Sequence, residues 1–187
     1  MVEMLGWQLS PAATGSDGDV VDAVEVRFRQ IHEANFAGTM DCNEALPVQV
    51  RALRRIDDWW VFLLLTPWMF SRLFLPRQQP RLPLPTAWTA EGRRKQAYVV
   101  IGPPLELALQ SGVQRAHINY DAVLGHYLIQ PLVQAMEGYD SPDQVFSAWN
   151  EVIATRDRVM IEQQRDCPWQ KEVSRREWFA RVLGRER

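Results

Sequence analysis

Apolar residues recur at helical spacing over residues 19–37, where Val20, Val24, Phe28 and Ile31 form one stripe and Asp22, Glu25, Arg27, Arg29 and Glu33 the opposite face. This pattern predicts an amphipathic helix, started by Asp17 or Asp19 and ended at Gly38. From residue 47 the period shortens to two. Val48, Val50 and Ala52, with Leu53 allowed beside them, alternate with Gln49, Arg51 and Arg54, which predicts a half-buried strand over 47–56. Asp57-Asp58 reads as a turn, and the unbroken apolar run Trp59–Thr66 as a strand covered on both faces. Residues 94–101 and 114–121 are further strand candidates. Gly102-Pro103-Pro104 and Ser111-Gly112 punctuate the region between them as a hairpin-like meander would require.

Residues 76–86 carry four prolines. Each fixes φ and removes a backbone donor, so an extended surface crossing is expected there. Ser141-Pro142-Asp143 is a helix start, with serine as cap and proline at the first position. Val145, Phe146, Trp149, Val152, Ile153 and Arg156 mark one face of that helix, and Pro168 breaks it or its successor. Residues 174–187 fit a short basic helix with Trp178, Phe179 and Leu183 inward, and residues 1–18 read as a loose leader. Together these elements predict an α+β fold. One domain over residues 1–187 is expected, with a small, mostly antiparallel sheet of about 4–5 strands packed with an N-terminal helix and C-terminal helices.

Composition narrows the function classes. Net charge is −2, from 21 basic and 23 acidic residues, which disfavours a nucleic-acid binder. Eight tryptophans suit either a core or a recognition surface. Cys42 and Cys167 are far apart and form no CxxC, so two reduced thiols in a cytoplasmic chain are expected. The N-terminal residues lack a secretory signal's charge and apolar run, and the most hydrophobic stretch, interrupted at Thr66-Pro67, is too short to span a bilayer.

A search for chemistry returns little. His32, His117 and His126 belong to no metal-binding pattern, and no cysteine stands near one at ligand spacing. Neither a phosphate-cradling glycine loop nor a GxSxG elbow occurs. Cys42 is flanked by Asp41 and, two residues on, Glu44, which work against a thiolate. No catalytic residue, metal or cofactor is therefore expected. The alternative class is a small cofactor-handling or redox protein acting through Cys42 or His117, or a generic interaction scaffold.

The segment LLTPWMFSRLFLP (64–76) resembles the signature of the HybE/HupJ family (also HoxT) of [NiFe]-hydrogenase assembly chaperones. Thr66, Pro67, Trp68, Met69 and Pro76 match its TPW block, and Trp59-Trp60 stand where the preceding strand begins. Gly6-Trp7-Gln8 resembles the family's short N-terminal element. Residues 21–40 resemble its first helix, followed by a motif that survives here as Cys42-Asn43-Glu44-Ala45-Leu46-Pro47-Val48. Ser174-Arg175-Arg176 and Leu183-Gly184-Arg185 look like its closing block. Two stretches depart from the pattern: residues 80–115 fit poorly, and residues 124–132 lack the family's cysteine and most of its serines. The chain thus looks like a divergent branch, nearest the HoxT type. The resemblance implies a cytoplasmic, non-catalytic chaperone for the hydrogenase small-subunit precursor. It would bind the twin-arginine signal peptide and delay export until cluster insertion and subunit assembly are complete, with the large subunit as a further contact.

Pro67 marks a strand end and leaves Trp68, Met69 and Phe70 adjacent. Neighbouring side chains cannot all face one core, so at least one is expected at the surface. Thr66, Pro67, Trp68, Met69 and Phe70 are accordingly the candidate partner-binding residues, because methionine and aromatic side chains adapt to varied apolar partners. Arg175 and Arg176 join them as a mimic of the client's signal.

Overall fold

The computed structural model describes residues 6–40 and 42–165. Helix α1 (Asp17–Asn35) is set by a reciprocal capping box: the Ser16 hydroxyl accepts from the Asp19 N–H, and the Asp19 carboxylate takes the Ser16 N–H at 2.7 Å. The cap is thus Ser16, one residue before the earlier of the two expected starts, with Asp19 as its third-position partner. Val20, Val24, Phe28 and Ile31 are all buried, as their spacing requires.

Among the described residues six strands form one sheet: β1 (Gln49–Ile56), β2 (Trp59–Thr66), β3 (Met69–Pro76), β4 (Pro104–Leu109), β5 (Gly112–Asp121) and β6 (Gly125–Val133). Their order is β1-β2-β3-β6-β5-β4 and every pairing is antiparallel. The α+β, antiparallel expectation holds, but the count is six strands rather than four or five. The strand expected over residues 94–101 is absent. The Asn119 amide instead donates to the carbonyls of Val99 and Val100, and its Oδ1 accepts from the Gly102 N–H at 2.9 Å, so a side chain fastens this segment across the sheet. A short helix, α2 (Ala90–Arg93), precedes it.

The two faces of the sheet bury different clusters. On one, Trp60, Phe62, Leu64, Leu73, Leu75, Tyr127 and Ile129 pack under α1. On the other, Trp59, Val61, Phe74, Ile118, Leu128 and Leu107 are covered by Trp7, by Leu82 and Leu84 of the proline-rich crossing, and by Trp88 just after it. The central strands are therefore apolar on both faces, which is why β2 reads as an unbroken hydrophobic run.

Residues 6–16, expected as part of a loose leader, are packed. Trp7 is buried and donates through Nε1 to the Leu82 carbonyl, Ala13 accepts from Trp60 Nε1 at 3.1 Å, and Gly125 lies against the Gln8 carbonyl. Gly125 has φ +71°, and a Cβ there would come within 2.3 Å of Gln8 O, so only glycine fits. His126 is the clasp. Its Nδ1 accepts from the Gln8 N–H at 2.7 Å while Nε2 faces the Trp88 carbonyl at 2.8 Å, which makes Nε2–H the neutral tautomer.

Burial lowers the His126 pKa from the usual 6.5, the Trp88 carbonyl opposing, and the Gln8 N–H can only donate, so Nδ1 must stay unprotonated. A histidine with a depressed folded pKa withholds a proton that the unfolded chain accepts. Its stabilising effect is whole above pH 6.5 and is lost as pH falls from there through the folded value. Urea midpoints measured from pH 7.5 to 5.5 are expected to fall with acid, and His126→Gln is expected to flatten that slope.

The chain divides into two compact units, Met1–Gln144 and Val145–Arg187. Helix α3 (Pro142–Arg165) begins at the expected Ser141-Pro142 signal. In its later turns Val152, Val159 and Met160 are exposed. Among the described residues no helix is long and apolar enough to cross a membrane.

Candidate functional site

The TPW block forms the tip of the β2–β3 hairpin. Thr66 pairs with Met69, and the threonine hydroxyl closes the two-residue turn by donating to Met69 O at 2.8 Å and accepting from Met69 N at 3.1 Å. Pro67 presets the turn, and its carbonyl accepts from the Asn43 N–H at 2.8 Å. Trp68 lies beneath the end of α1, stacked at 4.4 Å on Phe36 and more distantly on His32 and Phe28. Its accessibility is only 6%, yet its indole N–H finds no acceptor among the described residues.

Thr66, Pro67, Trp68, Met69 and Phe70 are all buried, which corrects the expectation that one of the last three reaches the surface. The physical reason is the turn. By reversing the chain within two residues, it starts β3 at Met69, so Met69 faces the α1 cluster while Phe70 pairs with Leu65 on the opposite face. Both faces are covered, and neighbouring side chains need not share one core. Arg175 and Arg176 lie outside the described residues.

What covers the tip is the loop after α1, residues 36–40 and 42–46. Asn43 is its keystone. Besides its N–H to Pro67, its side-chain amide donates to the Met136 and Tyr139 carbonyls at 2.9 and 2.7 Å, and its Oδ1 accepts from the Ala45 N–H. Glu44 closes the loop from the other side. Its carboxylate accepts from the Gly38 N–H at 3.1 Å and sits 3.3 Å from His32 Nε2 without hydrogen-bond geometry. Gly38 turns the chain with φ +73°. At the apex Met40 is 97% exposed, a flexible apolar side chain held out by a loop anchored at several points.

A family model described as [NiFe]-hydrogenase assembly, chaperone, HybE matches residues 19–181, which takes in α1 from its third residue, the loop, the hairpin tip and the whole sheet. The chain belongs to the HybE family. Among solved structures it is similar to HybE from Escherichia coli, at 19% identity over 74% of this chain and 72% of that one, with a TM-score of 0.45. Comparison with curated proteins gave no match.

In this HybE-family chain the other sequence candidates take structural places. Cys42 is half-buried against the α1 cluster, and His117 holds the Gly102 carbonyl through Nδ1 at 2.8 Å. Among the described residues no three or more His, Cys, Asp or Glu side chains gather where they could hold a metal ion. A second anchor ties α1 to the end of β5. The Arg27 guanidinium forks onto Asp121 through Nε and Nη2 at 2.8–3.0 Å, and Asp121 Oδ1 also accepts from the Val123 and Leu124 N–H groups. Sequence reasoning passed over Met40, Asn43 and Asp121 as binding or anchoring positions. The signals available were Asn43 inside the family-like block and Met40 standing alone in a glycine-containing loop.

Proposed function

We propose that this HybE-family chain is a non-catalytic chaperone that binds the [NiFe]-hydrogenase small-subunit precursor in the cytoplasm. In this reading it engages the twin-arginine signal peptide and delays export until cluster insertion and assembly with the large subunit are complete. The observation that carries the choice of surface is Met40, almost fully exposed on the loop that follows α1 and covers the hairpin tip. Thr66, Pro67, Trp68, Met69 and Phe70 contribute from beneath, as the rigid floor that fixes the loop. Arg175 and Arg176 belong to the same proposal as the segment that competes with the client's signal.

An exposed methionine over an ordered base suits an apolar helix or strand of varied sequence, because its unbranched chain repacks at little cost. Met40→Asp is expected to weaken precursor binding about tenfold, roughly 1.4 kcal/mol. The melting temperature should stay unchanged, since the side chain packs against nothing. Calorimetric titration with the purified precursor reads the first quantity and thermal unfolding the second. An affinity equal to that of the unaltered protein would remove Met40 from the interface.

A further inference from the structure

A cavity of about 190 Å³ opens between α1, the segment after α2 and the β5–β6 turn, lined among others by Arg27, Gln30, Arg93, Arg94, Tyr98 and Tyr120. Its charge is uneven. Arg27 and Asp121 neutralise each other, and Arg27 Nη1 is further held by Gln30 at 3.0 Å. Arg93 and Arg94 have no carboxylate partner among the described residues. Arg93 is nevertheless positioned: its guanidinium lies 4.6 Å over the Trp88 ring and donates through Nη2 to the Ala97 carbonyl at 2.6 Å. Its Nε–H is shut off from solvent and bonds nothing among the described residues. A guanidinium fixed on an aromatic face with no carboxylate beside it carries an uncompensated charge in a set position.

We propose that this cavity is a binding site for a single carboxylate presented by a partner polypeptide, received by Arg93 and Arg94. The volume admits one acidic side chain or chain end and not a nucleotide-sized ligand. The walls that Ala34, Ala97 and Tyr98 provide suit the methylenes behind a carboxylate. Asp121 is already saturated by Arg27 and two backbone N–H groups, so it does not compete for the guanidinium groups of Arg93 and Arg94. The site stands apart from the Met40 loop, and its test needs no hydrogenase subunit.

The experiment is an NMR titration of the full chain, following the arginine Nε–H resonances, with acetyl-Gly-Glu-Gly-amide, its glutamine counterpart and inorganic phosphate. The glutamate peptide is expected to shift the Arg93 and Arg94 signals saturably, with a dissociation constant on the order of millimolar. The glutamine peptide should bind at least about tenfold more weakly. Arg94→Gln, a change at an exposed side chain that makes no hydrogen bond or ion pair among the described residues, is expected to weaken glutamate-peptide binding about fivefold with an unchanged melting temperature. Equal shifts from the two peptides, a response to phosphate but not to glutamate, or full affinity in Arg94→Gln would each overturn the proposal.

Discussion

Trp68→Ala is expected to destabilise the chain by about 3–5 kcal/mol, whereas Trp68→Phe should stay within about 1 kcal/mol of the unaltered protein. The alanine change empties the space beneath Phe36, His32 and Phe28 and leaves the Asn43 loop without its floor. A domain holds only about 5–15 kcal/mol in all, so this one position decides whether the fold survives at physiological temperature. Phenylalanine keeps most of the ring contact and removes an indole N–H that is buried without an acceptor among the described residues. Relief of that unmet donor offsets much of the lost area. Guanidinium unfolding midpoints separate the two outcomes, and equal losses from both variants would show that the indole N–H has a partner.

The same tip shows what the sequence could and could not convey. β2 was legible because an unbroken apolar run between turn residues can be a strand covered on both faces. β3 was not, for the same reason: Met69–Pro76 is apolar on both faces, carries no period of two, and follows a Thr-Pro that looks like an exit rather than a hairpin turn. β6 was hidden by Gln130-Pro131. Pro131 pairs with Ser71 where the register to β3 shifts, an irregular place where a missing donor is tolerated. Conversely, Tyr98-Val99-Val100-Ile101 has strand-like composition, yet its carbonyls answer to the Asn119 amide 19–20 residues away. Such a long-range bond leaves no local signature. α1 and the start of α3 were legible because caps and apolar spacing act within a few residues.

Asp121→Ala is expected to cost about 3–5 kcal/mol, because it strands a partly buried guanidinium and two backbone donors at once. Arg27 loses its forked partner, and the Val123 and Leu124 N–H groups lose their acceptor at the β5–β6 turn. Arg27→Ala should cost less, since Asp121 keeps the two backbone bonds. The double variant should fall short of the sum by about 1–3 kcal/mol. Burial by itself would raise the Asp121 carboxyl, but the Arg27 fork and the two N–H groups outweigh it and hold its pKa below 3.8. A carboxylate with a depressed folded pKa stabilises above the unfolded value. That contribution is lost as pH falls from about 3.8 through the folded value, and Asp121→Ala should remove this part of the acid transition. Loss of the midpoint shift with acid in the unaltered chain would argue against the pairing.

Two anchors, Asn43 on the hairpin tip and Asp121 on Arg27 of α1, thus tie the helix and its following loop to the sheet. The client claim is tested most directly by calorimetric titration of the purified chain with the small-subunit precursor and, separately, with the same subunit lacking its twin-arginine signal. Saturable binding to the precursor, weakened at least about tenfold when the signal is removed, is the predicted result. Equal affinity for both forms, or no binding to either, would contradict it.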